Sequence, residues 1–119
     1  MRLHIEKIGE MTIIECDGRV VGSDAAFRLR DAVTSRRDAR IIVVDLSEVR
    51  AIEGGGLGIL AFLSRWAHDR AIQFKLFNPT KSVRDRLESL NTLLDCDIAT
   101  LEEMMDLLAK ADSVYPVAA

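Results

Sequence analysis

Ile41–Leu63 reads IIVVDLSEVRAIEGGGLGILAFL, and the fold turns on how this stretch is divided. Its first four residues, Ile41, Ile42, Val43 and Val44, are all β-branched and apolar. A run that short, with no polar alternation, predicts a strand covered on both faces. Asp45 closes the run, and Leu46–Ile52 reads as a connector carrying Ser47 and Glu48. Glu53-Gly54-Gly55-Gly56 follows, and from Leu57 to Arg70 the pattern turns helical. The expected order is strand, connector, glycine turn, helix start. Successive glycines leave their amides unshielded and make positive φ accessible. A helix start behind them offers unpaired N–H groups and the positive end of the helix dipole. A functional site is expected here first.

Upstream of this stretch, Leu3–Ile8 alternates apolar and polar residues, Gly9-Glu10 reads as a turn, and Met11–Cys16 reads as a second strand, so the two predict a hairpin. Asp17-Gly18 breaks the second strand, and Arg19-Val20-Val21 reads either as a short further strand or as a bulged continuation. Ser23 or Asp24 is placed to cap a helix over Ser23–Arg37, whose Ala26, Leu29 and Val33 share one face. The opposite face carries Arg28, Arg30, Arg36 and Arg37, diluted by aspartates, and reads as solvated.

Downstream, the helix over Leu57–Arg70 places Leu57, Leu60, Ala61, Ser64 and Ala67 on one stripe, with Trp66 assigned to the core and His68 to the surface. Ile72–Phe77 alternates as a strand and stops at Asn78-Pro79. Thr80 or Ser82 is placed to cap a helix over Ser82–Leu90, Asn91–Asp95 reads as a loop, and Asp97–Ala99 is long enough only for an edge strand. Thr100-Leu101-Glu102-Glu103 is a capping box for a last helix over Leu101–Lys110, with Leu101, Met104, Met105 and Leu108 on its apolar stripe. The expected architecture is α/β: a mixed sheet of four or five strands with about four helices and Ile41–Val44 in its middle. Helix–strand alternation makes the later strands parallel, and the leading hairpin makes the sheet mixed. Residues 1–112 form one domain in this reading, and residues 113–119 a loose tail.

Composition narrows the function. A net charge of −3, from 16 basic and 19 acidic side chains, gives no electrostatic reason for nucleic acid or an anionic membrane as partner. No apolar stretch approaches the about 20 residues of a membrane-spanning helix, and the first residues lack the apolar core of a secretion signal. Cys16 and Cys96 are too few for a disulfide framework and are read as buried free thiols, which fits a cytoplasmic domain. Catalytic patterns are missing: Ser47 and Ser64 lack the glycines of a nucleophile elbow, and Ile59 follows Gly58 where a phosphate-binding loop needs lysine. Gly54, Gly56 and Gly58 are spaced as GxGxG, which is not the dinucleotide fingerprint. His4 and His68 have no metal-ligand spacing with the cysteines. Glu53 beside a helix start is assigned to dipole stabilisation rather than to base catalysis. No catalytic residue, metal or cofactor is expected.

The run Asp45-Leu46-Ser47-Glu48-Val49-Arg50-Ala51-Ile52-Glu53-Gly54-Gly55-Gly56-Leu57-Gly58 resembles the signature of STAS domains, the anti-sigma factor antagonists and sulfate-transporter domains, whose pattern is close to D-L-S-x-V-x-x-I-D-S-S-G-L-G. The resemblance extends in element order from about Leu3 to Lys110. It implies a single STAS-like domain acting as a non-catalytic interaction module. Its partner would be a serine-kinase-type anti-sigma factor or a related ATPase-fold protein, and there is room for a homodimer. In the family the second serine of D-S-S-G receives a phosphate from the partner kinase, and the charge releases the partner. Gly55 stands at that acceptor position here, Gly54 at the serine before it, and Glu53 at the aspartate. The resemblance therefore implies binding without the phosphorylation switch. Partner contact is expected at Ser23, Asp24, Ser47, Glu53, Gly54, Gly55, Gly56 and Leu57. The alternative is a small STAS subunit of a lipid-transport ABC system, docked on its ATPase.

Overall fold

In the computed structural model the described residues are 1–89 and 97–113. The chain runs β1 (Arg2–Ile8), β2 (Met11–Val20), α1 (Gly22–Thr34), β3 (Ile41–Ile52), α2 (Gly54–Asp69), β4 (Gln73–Phe77), α3 (Lys81–Ser89), β5 (Asp97–Ala99) and α4 (Leu101–Ser113). The five strands form one sheet whose spatial order follows the chain, β1-β2-β3-β4-β5. β1 and β2 pair antiparallel as the expected hairpin, and β2, β3, β4 and β5 are parallel. β3 is the middle strand, as its apolar run predicts.

Both faces of β3 are covered. Ile42 and Val44 point into a core shared with Leu29 and Val33 of α1, Leu57, Leu60 and Leu63 of α2, and Val83 and Leu87 of α3. Val43 points the other way, into a smaller cluster with Met11, Ile13, Met104 and Ala111 under α4. Ile42, Val43 and Val44 have no exposed surface. Each such side chain contributes about 1.5–3 kcal/mol through removal of apolar area from water. Trp66 belongs to the larger core, as expected.

The segment read as a connector is strand. β3 continues from Asp45 to Ile52, and β2 continues through Asp17-Gly18 to Val20 as the bulged alternative. Over this part Glu15, Asp17, Gly18, Arg19 and Val20 pair with Asp45, Glu48, Val49, Ala51 and Ile52, so β3 twice carries an extra residue. The bulges change the inward spacing from every second residue to every third: Leu46, Val49 and Ile52 are the buried ones. A period of two, by which a strand is recognised, is absent from this part of the sequence.

Helix boundaries differ from expectation at several ends. α1 begins at Gly22, with Val21 at the cap position and no side-chain cap, so Ser23 and Asp24 lie inside its first turn. It ends at Thr34 and not at Arg37, because the amide of Ser35 closes onto the carbonyls of Asp31 and Val33. α2 begins at Gly54, which puts all three glycines inside the helix and not in a turn before it. Thr80, not Ser82, caps α3: its hydroxyl accepts the amide of Val83 at 3.4 Å and donates to the carbonyl of Val49 at 3.0 Å. The capping box of α4 forms, with Glu103 N–H donating to Thr100 Oγ at 3.1 Å and Thr100 N–H to Glu103 Oε1 at 3.5 Å. The stripe assigned to α4 is turned: Met104 and Ala111 are buried, whereas Leu101 and Met105 are exposed. Leu90, the loop over residues 91–95, Cys96 and the tail beyond residue 113 lie outside the described residues.

Candidate functional site

β2 and β3 end together, with Val20 paired to Ile52, and each then leads into a helix. The starts of α1 and α2 are therefore side by side at the same end of the sheet. Two hydrogen bonds join them: Glu53 N–H donates to the carbonyl of Val20 at 3.1 Å, and Gly22 N–H donates to Oε2 of Glu53 at 3.2 Å. Glu53 thus stands at the cap position of its own helix and turns its carboxylate onto the neighbouring helix start, where the dipole favours a negative charge. Gly22 has φ +80, a backbone state that costs a residue with a Cβ about 1 kcal/mol or more.

The three glycines of α2 do different jobs. A Cβ on Gly56 would stand 2.8 Å from Cγ1 of both Ile52 and Val20. Only a hydrogen fits there, and this lets the helix start rest on the two strand ends. Gly54, Gly55 and Gly58 face open space, with nothing within 4 Å of where a Cβ would stand, and none has positive φ. They form a bare exposed surface on the first turns of α2, continuing along the same stripe to Phe62, which is half exposed. On α1, Phe27 is also half exposed, and the guanidinium of Arg30 lies 4.7 Å from its ring centre.

Of the residues picked from sequence, Ser23, Asp24, Glu53, Gly54 and Gly55 are exposed around the joined helix starts. Gly56 and Leu57 are buried, so they shape the site from beneath and do not face a partner. Ser47 is not brought to it. It precedes Glu53 by six positions along β3, on the order of 20 Å of strand, and its amide is held by Oδ1 of Asp45 at 2.9 Å. Sequence reasoning missed Gly22, Phe27 and Phe62. The signal for the two aromatics was present: each is a large apolar residue off the buried stripe of its helix.

Burial pushes the Cys16 thiol up to about 12, with the Asp45 carboxylate adding to the effect, so the thiolate needed for nucleophilic chemistry is suppressed. Among the described residues no three His, Cys, Asp or Glu side chains are grouped so as to hold a metal ion. Among the same residues no helix is long and apolar enough to cross a membrane.

A mixed sheet in chain order, with paired helix starts beyond β2 and β3, is the arrangement of a STAS domain. The STAS domain family profile matches residues 2–106, and the chain belongs to that family. No curated protein matches it closely. Among solved structures, the anti-sigma factor antagonist SpoIIAA in its unphosphorylated form is 18% identical, with a TM-score of 0.75 over 92% of this chain and 97% of that one. An anti-sigma factor antagonist from Mycobacterium paratuberculosis is 17% identical, with a TM-score of 0.75 over 91% of this chain and 93% of that one. RsbS from Moorella thermoacetica is 16% identical, with a TM-score of 0.73 over 95% of this chain and 99% of that one. At these identities the likeness is one of fold.

Proposed function

We propose that this chain is a non-catalytic interaction module of the anti-sigma factor antagonist type, acting in bacterial transcription control. It docks a serine-kinase-type anti-sigma factor on the joined starts of α1 and α2. The observation that carries this reading is the bare surface formed by Gly54, Gly55 and Gly58, leading to half-exposed Phe62. A helix face without side chains admits close approach of a partner's backbone, and an aromatic at its end supplies an anchor of the kind that dominates interface energies. Ser23, Asp24 and Glu53 supply polar contacts at the rim. In this reading Gly55 makes docking independent of phosphorylation. Two hydroxyls that could replace the missing acceptor are poorly placed: Ser47 lies far along β3, and Thr80 is committed to Val49 and Val83.

The test pairs the purified protein with a serine-kinase-type anti-sigma factor from the same organism and ATP. Wild type is expected to bind in calorimetry and to gain no phosphate by mass. Phe62→Asp is expected to abolish binding while the protein stays folded. Gly55→Ser adds a hydroxyl in open space, and is expected to accept phosphate and then bind weakly. Stoichiometric phosphorylation of wild type at Ser23, Ser47 or Thr80 with loss of binding would overturn the reading.

A further inference from the structure

Beside the start of α1 lies an open groove of about 400 Å³ into which Arg19, Arg28 and Arg50 converge, together with Gly18, Val21 and Asp24. The arginines come from three elements, β2, α1 and β3. Their meeting follows from the bulges. Gly18 pairs with Val49 and Arg19 with Ala51, which leaves Arg50 as the extra residue, and a bulge re-aims the side chain that it carries.

Arg19 and Arg50 have no ion pair or side-chain hydrogen bond among the described residues, and Arg28 donates one bond, to the carbonyl of Met1 at 2.8 Å. Asp24 is the one carboxylate in the lining. Three guanidiniums against one carboxylate leave an excess of two positive charges, in a chain whose net charge is −3. Like charges held together repel until a counter-charge arrives. Guanidinium groups present flat, forked donors that match the oxygens of a phosphoryl group in pairs.

We propose that this groove binds a phosphate-type dianion, either a free phosphate compound or a phosphorylated side chain of another protein. The site is separate from the bare face of α2, so partner docking there can fail while the groove still takes its anion, and the reverse.

Amide and arginine Nε–H NMR signals of isotope-labelled protein test this, with inorganic phosphate and O-phosphoserine titrated separately at constant ionic strength held by chloride. Saturable shifts are expected at Gly18, Arg19, Val21, Asp24 and Arg50. Arg19→Gln and Arg50→Gln are each expected to weaken binding about tenfold, and Arg70→Gln, on the far end of α2, to leave it unchanged. Tighter binding of O-phosphoserine than of phosphate identifies a phosphorylated side chain as the source, and the opposite order a free anion. Shifts that never saturate with either compound, or saturable shifts that survive in the Arg19→Gln/Arg50→Gln double variant, would overturn the proposal.

Discussion

The backbone N–H of Gly22 donates to Oε2 of Glu53 at 3.2 Å, so the residue that opens α2 also holds the start of α1. One carboxylate thereby fixes the relative position of two helix ends. Glu53→Ala is expected to lower stability by about 1 kcal/mol, the usual worth of a helix cap. Glu53→Gln keeps an acceptor and is expected to lose less. Urea denaturation of the three proteins checks the order, and equal midpoints would show that the bond contributes nothing.

Gly56 and Gly55 are neighbours with opposite expectations. Gly56→Ala drives a Cβ into Ile52 and Val20 at 2.8 Å, and overpacking of this kind costs about 1–3 kcal/mol. Gly55→Ala meets nothing and reduces the freedom of the unfolded chain, so it is expected to stabilise by up to about 0.5–1 kcal/mol. Thermal melts of the two variants should shift in opposite directions.

Thr80 closes the start of α3 and ties it to β3 through the carbonyl of Val49. Thr80→Val keeps the shape and removes both bonds, and is expected to cost about 1–2 kcal/mol. Amide exchange should then quicken at Val83 and Arg84 before it does in the middle of β3.

Cys16 gives a pH dependence with a definite sign. Its thiol is pushed up to about 12 when folded, whereas a free thiol titrates near 8.5. The folded state therefore holds this proton more tightly, and the contribution is fully present below the unfolded value and lost as pH rises toward 12. Between those limits the loss approaches about 1.4 kcal/mol per pH unit. In a Cys96→Ser background, wild type should lose stability above pH 9 faster than Cys16→Val does. Parallel curves would show that burial does not hold the proton.

The sequence disclosed more of the fold than of the site. The run Ile41–Val44 and the capping box at Thr100 and Glu103 carry their structure in local chemistry, and both are found as read. Leu46, Val49 and Ile52 hide a strand because two bulges replace a period of two by a period of three. The threefold glycine run hid a helix start for a related reason: low helix propensity is a local quantity, and contact of Gly56 with Val20 and Ile52 overrides it. The convergence of Arg19 with Arg50 depends on which residue a bulge leaves unpaired, and pairing register is a property of two strands together.

The sheet's spatial order is the order of the chain. During synthesis, each strand that leaves the ribosome therefore finds its neighbour already made, and no early strand has to wait with an open edge for a partner from the far end. Exposed strand edges invite pairing between molecules, and here the growing edge is always the newest one. A nascent chain ending just after β4 already holds β3 between two paired strands, and its central core can form before α4 exists.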